Sequence, residues 1–176
     1  MNKLNLKGTF TLEQIRDGKV IHSEVIPNTI TDEGKQALLE AFFNGGPTTP
    51  DWYVGLIDST SFASTAATNA YANISVSSAT GNGWQEFDQY TDTANAGSTV
   101  TRPEWMSDPA TTSITNGMTA SFDITAAGSV EGLFIADGQT KGDSSAGVLW
   151  SAAQFLGGAR AVAVNDSLKV TYTVAT

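Results

Sequence analysis

The chain has 176 residues, no cysteine, 18 Asp and Glu against 9 Lys and Arg, and a formal net charge of −9 with its single histidine neutral. A domain of this size buries about 70% of the surface its unfolded chain exposes and folds without staples, while the missing cysteines exclude disulfides, thiolate metal sites and cysteine nucleophiles. The basic residues are scattered and no apolar run reaches the ~20 residues of a membrane-spanning helix, so nucleic-acid binding, which needs clustered Lys and Arg, and membrane insertion are both disfavoured.

Phe10 and Leu12 on one arm and Val20 and Ile21 on the other predict a hairpin around Asp17-Gly18, a pair suited to a turn that needs positive φ. Pro27 ends the second arm. Thr31 is placed to cap a helix whose first turn carries Asp32 and Glu33, where the helix dipole favours acids. Leu38 with Phe42, and Leu39 with Phe43, carry that helix from Asp32 to Phe43, and Asn44-Gly45-Gly46-Pro47 stops it. Trp52-Tyr-Val-Gly-Leu-Ile57 reads as a short, nearly continuous apolar strand in the middle of a sheet. Residues 58–83, rich in Ser, Thr, Ala and Asn, read as a long surface excursion pinned by Phe62, Tyr71, Ile74 and Val76, and as a working surface. Met118 to Ile124 and Leu168 to Val174 alternate apolar with polar residues, the pattern of half-buried antiparallel strands. Residues 130–136 and 148–155 read as more fully buried strands separated by a Gly-rich turn. One domain over 1–176 follows: mainly β, an antiparallel β-sandwich, jelly-roll-like or immunoglobulin-like, with one short helix. Its expected core is Leu39, Phe43, Val54, Leu56, Phe122, Phe134, Trp150, Val170 and Tyr172.

Chemistry-bearing patterns are few. His22 has no second histidine to share a metal with, and the Ser144-Ser145 stretch lacks the flanking glycines of a nucleophile elbow. The loop from Asp137 to Asp143 has Lys141 where a calcium loop wants an oxygen ligand. Acid pairs such as Glu86 with Asp88 arise among 18 acids as solvated faces. No enzyme activity, cofactor or metal is therefore expected. The N-terminal stretch, interrupted by Asn5, Lys7 and Thr9, does not read as a signal peptide, so synthesis in the cytoplasm is expected. Trp52 and Trp150 sit in apolar strands and belong to the core. Trp84 and Trp105 lie in polar stretches, where an indole either holds a loop down or meets a partner.

The order of Asn28-Thr-Ile-Thr-Asp-Glu-Gly34, Trp52 to Ile57, Tyr90 before Thr101-Arg-Pro-Glu-Trp105, Ser113-Ile-Thr-Asn116, Thr140-Lys-Gly142, Leu149-Trp150 and Asp166-Ser-Leu-Lys-Val-Thr-Tyr-Thr173 resembles small structural proteins of tailed-bacteriophage virions. The resemblance implies a non-enzymatic β-sandwich component of the particle, a capsid decoration or cement protein on the outside of the head, with a tail, neck or fibre protein that reads carbohydrate receptors as the alternative. The partners it implies are the major capsid protein or another virion protein and further copies of the chain, and the location is the virion, after synthesis in the host cytoplasm. Contact residues are expected at Asn2, Lys3, Leu4, Phe62, Tyr71, Tyr90, Arg102, Glu104 and Trp105, with Arg102 and Trp105 as anchors, since these types are enriched among interface hot spots. The competing expectation is that Trp105 packs its own loop onto the sandwich and Arg102 pairs with a nearby acid.

Overall fold

Strands form where one side of an alternating segment finds apolar cover. The computed structural model describes residues 5–46, 51–60, 62–75, 83–94, 96–108 and 112–176. Its strands are β1 (Lys7–Arg16), β2 (Lys19–Pro27), β3 (Thr29–Ile30), β4 (Tyr53–Asp58), β5 (Ile74–Ser75), β6 (Trp84–Gln85), β7 (Tyr90–Asp92), β8 (Ser113–Thr115), β9 (Ala120–Ile124), β10 (Gly128–Ala136), β11 (Leu149–Gln154), β12 (Arg160–Val162) and β13 (Ser167–Ala175), with helix α1 at Asp32–Phe43. Asp17 (φ 50°) and Gly18 (φ 72°) make the turn of the β1–β2 hairpin as expected. The first sheet runs β2-β1-β13-β9-β7, with β8 also beside β13. In the second, β10 pairs with β4, β11 and β12, and β3 extends β11. Every pairing in both sheets is antiparallel, and the two form a sandwich.

Between the sheets, Phe10 and Leu12 of β1, Phe122 of β9 and Val170 and Tyr172 of β13 face Val54 and Leu56 of β4 and Leu133 and Ile135 of β10, all buried. The outer face of the second sheet is covered too. Ile57, Phe134, Ala136, Leu149 and Ala152 pack under Tyr71, Ile74 and Trp84, a separate apolar cluster held by the parallel pair β5–β6 and the helical turn Tyr71–Asn73. Cover on both faces explains why β4 and β10 read as continuous apolar runs and not as alternation. The described part of the excursion thus lies on its own sheet, with Phe62 half-buried against that cluster. Val76 lies outside the described residues.

Two expected core positions are exposed and a third, Trp150, is only partly buried. Leu39 is 53% and Phe43 72% exposed, because α1 is fixed mainly through its first turn. There Thr31 Oγ1 accepts the Gly34 amide, the Glu33 carboxylate accepts the amides of Tyr71 and Leu149, and Gly34 lies so close to Trp150 that a Cβ would come within 2.7 Å of its carbonyl oxygen. The last two turns run off that anchor. Trp150 is half-buried, and Met118 is exposed just before β9 begins at Ala120.

A polar clamp closes the corner between β1 and the turn before β13. The buried Asp166 carboxylate accepts Arg16 Nε at 2.6 Å and Nη2 at 2.8 Å, Gln14 Nε2 at 2.8 Å and the Ala163 amide at 2.9 Å. Arg16, more than any other group, holds the Asp166 carboxyl down to about 2 from its ordinary 3.8. The folded state binds this proton more weakly than the unfolded chain, so the contribution is complete above about pH 4 and vanishes as pH falls towards 2. Because the Arg16 side chain is 43% exposed and water screens it, the contribution is about 1 kcal/mol. In denaturant titrations at successive pH values, Asp166→Asn is expected to flatten the wild-type loss of stability over that window. An equal slope in both proteins would contradict the assignment.

Candidate functional site

An extended strip, residues 101–108, runs beside β4, with the Val54 amide donating to Pro103 O at 2.8 Å and the Trp105 amide to Trp52 O at 2.6 Å. It sends Arg102 inward. That guanidinium is 0% exposed and grips the Glu86 carboxylate with two parallel bonds, Nε to Oε1 and Nη2 to Oε2, both 2.8 Å. Nη1 donates to Tyr71 OH at 3.3 Å and to Gly138 O, while the Gly142 amide donates to Glu86 Oε2 at 2.6 Å. Burial works against the Arg102 charge, but Glu86 outweighs it and raises the pKa above the ordinary guanidinium value. Lys141 caps the same end, donating to Asp88 O and Tyr90 O with Nζ 3.7 Å from the Tyr90 ring centre. Burial lowers its pKa to about 8. Burial also raises the Tyr90 phenol well above its usual value, and the Glu86 charge adds to that. Both carboxylate oxygens of Glu86 are occupied, so the pair works as a staple between four chain segments. Of the expected contact residues, Tyr71, Tyr90 and Arg102 are therefore interior side chains and not surface anchors, and Arg102 pairs with a nearby acid as the competing expectation had it.

The other expected anchor leads to a surface feature. A cleft of about 330 Å³ lies under α1, between the helix face Ala37, Leu38 and Ala41 and the indoles Trp52, Trp105 and Trp150. Trp52 and Trp150 have ring centres 6.0 Å apart. Trp150 Nε1 donates to Tyr172 OH at 2.8 Å, and Trp105 Nε1 to Asn116 Oδ1 at 2.7 Å and Tyr172 O at 3.2 Å. These two indoles spend their N–H groups on the sandwich and offer carbon surface to the cleft. Farther along α1, Leu39, Phe42 and Phe43 are also exposed, Phe42 at 79%; at about 100° per residue Phe42 flanks the cleft-lining face of Ala37, Leu38 and Ala41, and Leu39 and Phe43 lie on the far side of the helix. Phe42 and Phe43 stack edge to face at 4.9 Å. Asp51 and Glu104, the chain neighbours of Trp52 and Trp105, and Glu40 on the helix are exposed. An open apolar cleft lined by indoles marks a contact site.

Trp105 thus sits at the cleft, Glu104 lines a separate hollow with Tyr53, Asp92 and Met106, Phe62 belongs to the outer cluster, and Asn2, Lys3 and Leu4 lie outside the described residues. Sequence reasoning missed the contribution of Trp52, Trp150 and the exposed helix face. A signal was present: Leu38, Leu39, Phe42 and Phe43 make an apolar stripe wider than one packed neighbour covers.

Fold and cleft define the chain as a two-sheet antiparallel sandwich with an apolar cleft beneath its helix. No protein-family model matches it, and neither does any curated protein. Among the described residues, no three or more His, Asp or Glu gather to hold a metal ion, and no helix is long and apolar enough to cross a membrane.

Proposed function

We propose that this chain is a non-enzymatic structural protein of a tailed-phage virion, a decoration or cement protein that seats on the outside of the head by receiving an apolar, basic-flanked segment of the major capsid protein in the α1–tryptophan cleft. The virion setting rests on the sequence resemblance. The docking mode rests on one observation, the indole-lined apolar cleft open beside α1, with the exposed Phe42 ring flanking it on the helix. A net charge of −9 favours a partner with basic flanks and resists self-aggregation. Contacts repeated over a symmetric shell add through multivalency, so a modest interface per copy suffices.

The test is incorporation into particles. Phe42→Ser with Phe43→Ser alters side chains that the sandwich does not bury, so the isolated domain is expected to melt as wild type does. Occupancy on particles should fall at least about tenfold, the ratio that about 1.4 kcal/mol per copy gives before multivalency. Wild-type occupancy for this variant would overturn the docking surface. Labelled protein found only on tails would overturn the head assignment, and its absence from particles would overturn the virion reading.

A further inference from the structure

We infer that the free edge of β2 pairs with the β2 edge of a second copy, antiparallel about a two-fold axis at Ser23. β2 is the terminal strand of its sheet, and among the described residues only β1 pairs with it. The phase of that pairing shows which backbone groups face out. The Asn28 amide donates to Gly8 O at 3.1 Å, one step beyond the paired register. Hydrogen-bonded and non-bonded pairs alternate along an antiparallel ladder. Phe10–Ile26 and Leu12–Glu24 are then bonded pairs, and Thr11–Val25 and Glu13–Ser23 are not. The N–H and C=O groups of Ser23 and Val25 therefore point away from β1. Pro27 has the same phase, which puts its missing N–H on the open edge, where a strand tolerates it.

Only odd-numbered residues in this stretch present outward backbone groups, so an edge-to-edge ladder must match odd with odd. Three registers near the middle of β2 satisfy this, and side chains choose among them. Centring on Glu24 sets two carboxylates face to face. Centring on His22 opposes two imidazoles and leaves Glu24 against Val20. Centring on Ser23 sets His22 opposite the other copy's Glu24 twice, and Ile21 opposite Val25 twice. Within one copy His22 Nε2 already lies 3.2 Å from Glu24 Oε2, so both groups occupy the face where the cross-strand pairs would form. The opposite face exposes two apolar side chains, Ile21 at 50% and Val25 at 59%; Val25 has Thr11 across the ladder, and the bulge after Gln14 leaves Ile21 with no register partner on β1. Leu156, 70% exposed, is brought beside the edge by its amide bond to Glu24 Oε1 at 2.7 Å. A two-fold places the same patch on both copies, the ordinary form of a closed homodimer interface.

This pairing does not rest on the virion reading, because it is measured on the purified full chain. Sedimentation equilibrium is expected to show a concentration-dependent dimer. Ser23→Pro removes an outward N–H without touching the β1 ladder, and Val25→Lys puts a charged group where Val25 would meet the other copy's Ile21; each is expected to weaken association at least tenfold with an unchanged circular dichroism spectrum. Should Ser23→Pro fail to fold, Val25→Lys decides, since its side chain is exposed. The chain has no cysteine, so Ser23→Cys reports the axis directly: a bonded pair holds the two Cα atoms about 5.5 Å apart, within disulfide reach, and oxidation should give a covalent dimer. Lys169→Cys, on the exposed face of β13, should not. A monomer at all concentrations, or a dimer unmoved by the β2 variants, overturns the inference, as does a dimer abolished by Phe42→Ser with Phe43→Ser.

Discussion

Arg102→Met is expected to cost about 3–5 kcal/mol of folding stability, because it strands the Glu86 carboxylate in a site from which water is excluded. The side chains of both partners are 0% exposed, so neither charge has solvent to fall back on. For a chain of this size that loss lowers the melting midpoint by about 10 °C. Glu86→Gln should be nearly as damaging, since it leaves the guanidinium without its counter-charge and keeps only one acceptor for two donors. The double variant Glu86→Leu with Arg102→Met removes both charges and should recover most of the loss, as buried pairs replaced whole by apolar groups often do. Thermal unfolding of the four proteins measures the coupling. Single variants that melt within a few degrees of wild type would mean that water reaches the pair.

Phe134→Ala is expected to cost about 3–5 kcal/mol, the range for emptying a fully buried ring site. Its ring stands between the two apolar clusters' shared sheet and the outer cover, 5.7 Å from the Trp84 ring and 5.2 Å from the Arg102 guanidinium carbon. Across the ladder it lies over Gly55, where a Cβ would come within 2.1 Å of the Phe134 ring. Gly55→Ala should therefore destabilise by about 1–3 kcal/mol through overpacking. In the Phe134→Ala background that cost should largely disappear, because the clashing ring is gone. Denaturant unfolding of the cycle gives the coupling, and additive losses would show that Gly55 and Phe134 do not share the space.

Legibility followed solvent. Alternation was readable in β1, β9 and β13 because one face of each meets water, and α1 was readable from Thr31 and the acids after it. β4 and β10 could be recognised as strands but not placed, since a run that is apolar on both sides does not say what covers its second face. Strands of two or three residues such as β3, β5 and β12 hold too few positions for any period to register. The Glu86–Arg102 pair joins residues 16 apart with no local spacing rule, and the cleft gathers indoles from three separate segments. Leu39 and Phe43 were misassigned because apolar spacing on a helix reports the width of a stripe and not the presence of something to lie against it.

The pairing of β1 with β13 sets a condition on how the protein can be made. Residue 7 lies opposite residue 175, and β13 also separates β1 from β9. While a ribosome is still producing the last nine residues of that strand, the first sheet has no middle, and β1 and β9 wait as two raw edges with Phe10, Leu12 and Phe122 uncovered. The first sheet must then close late, once β13 has emerged, through contacts of very long sequence separation, which is slow. Fragments stopped short of residue 167 would carry those edges indefinitely, and holding chaperones would find them before the missing strand does.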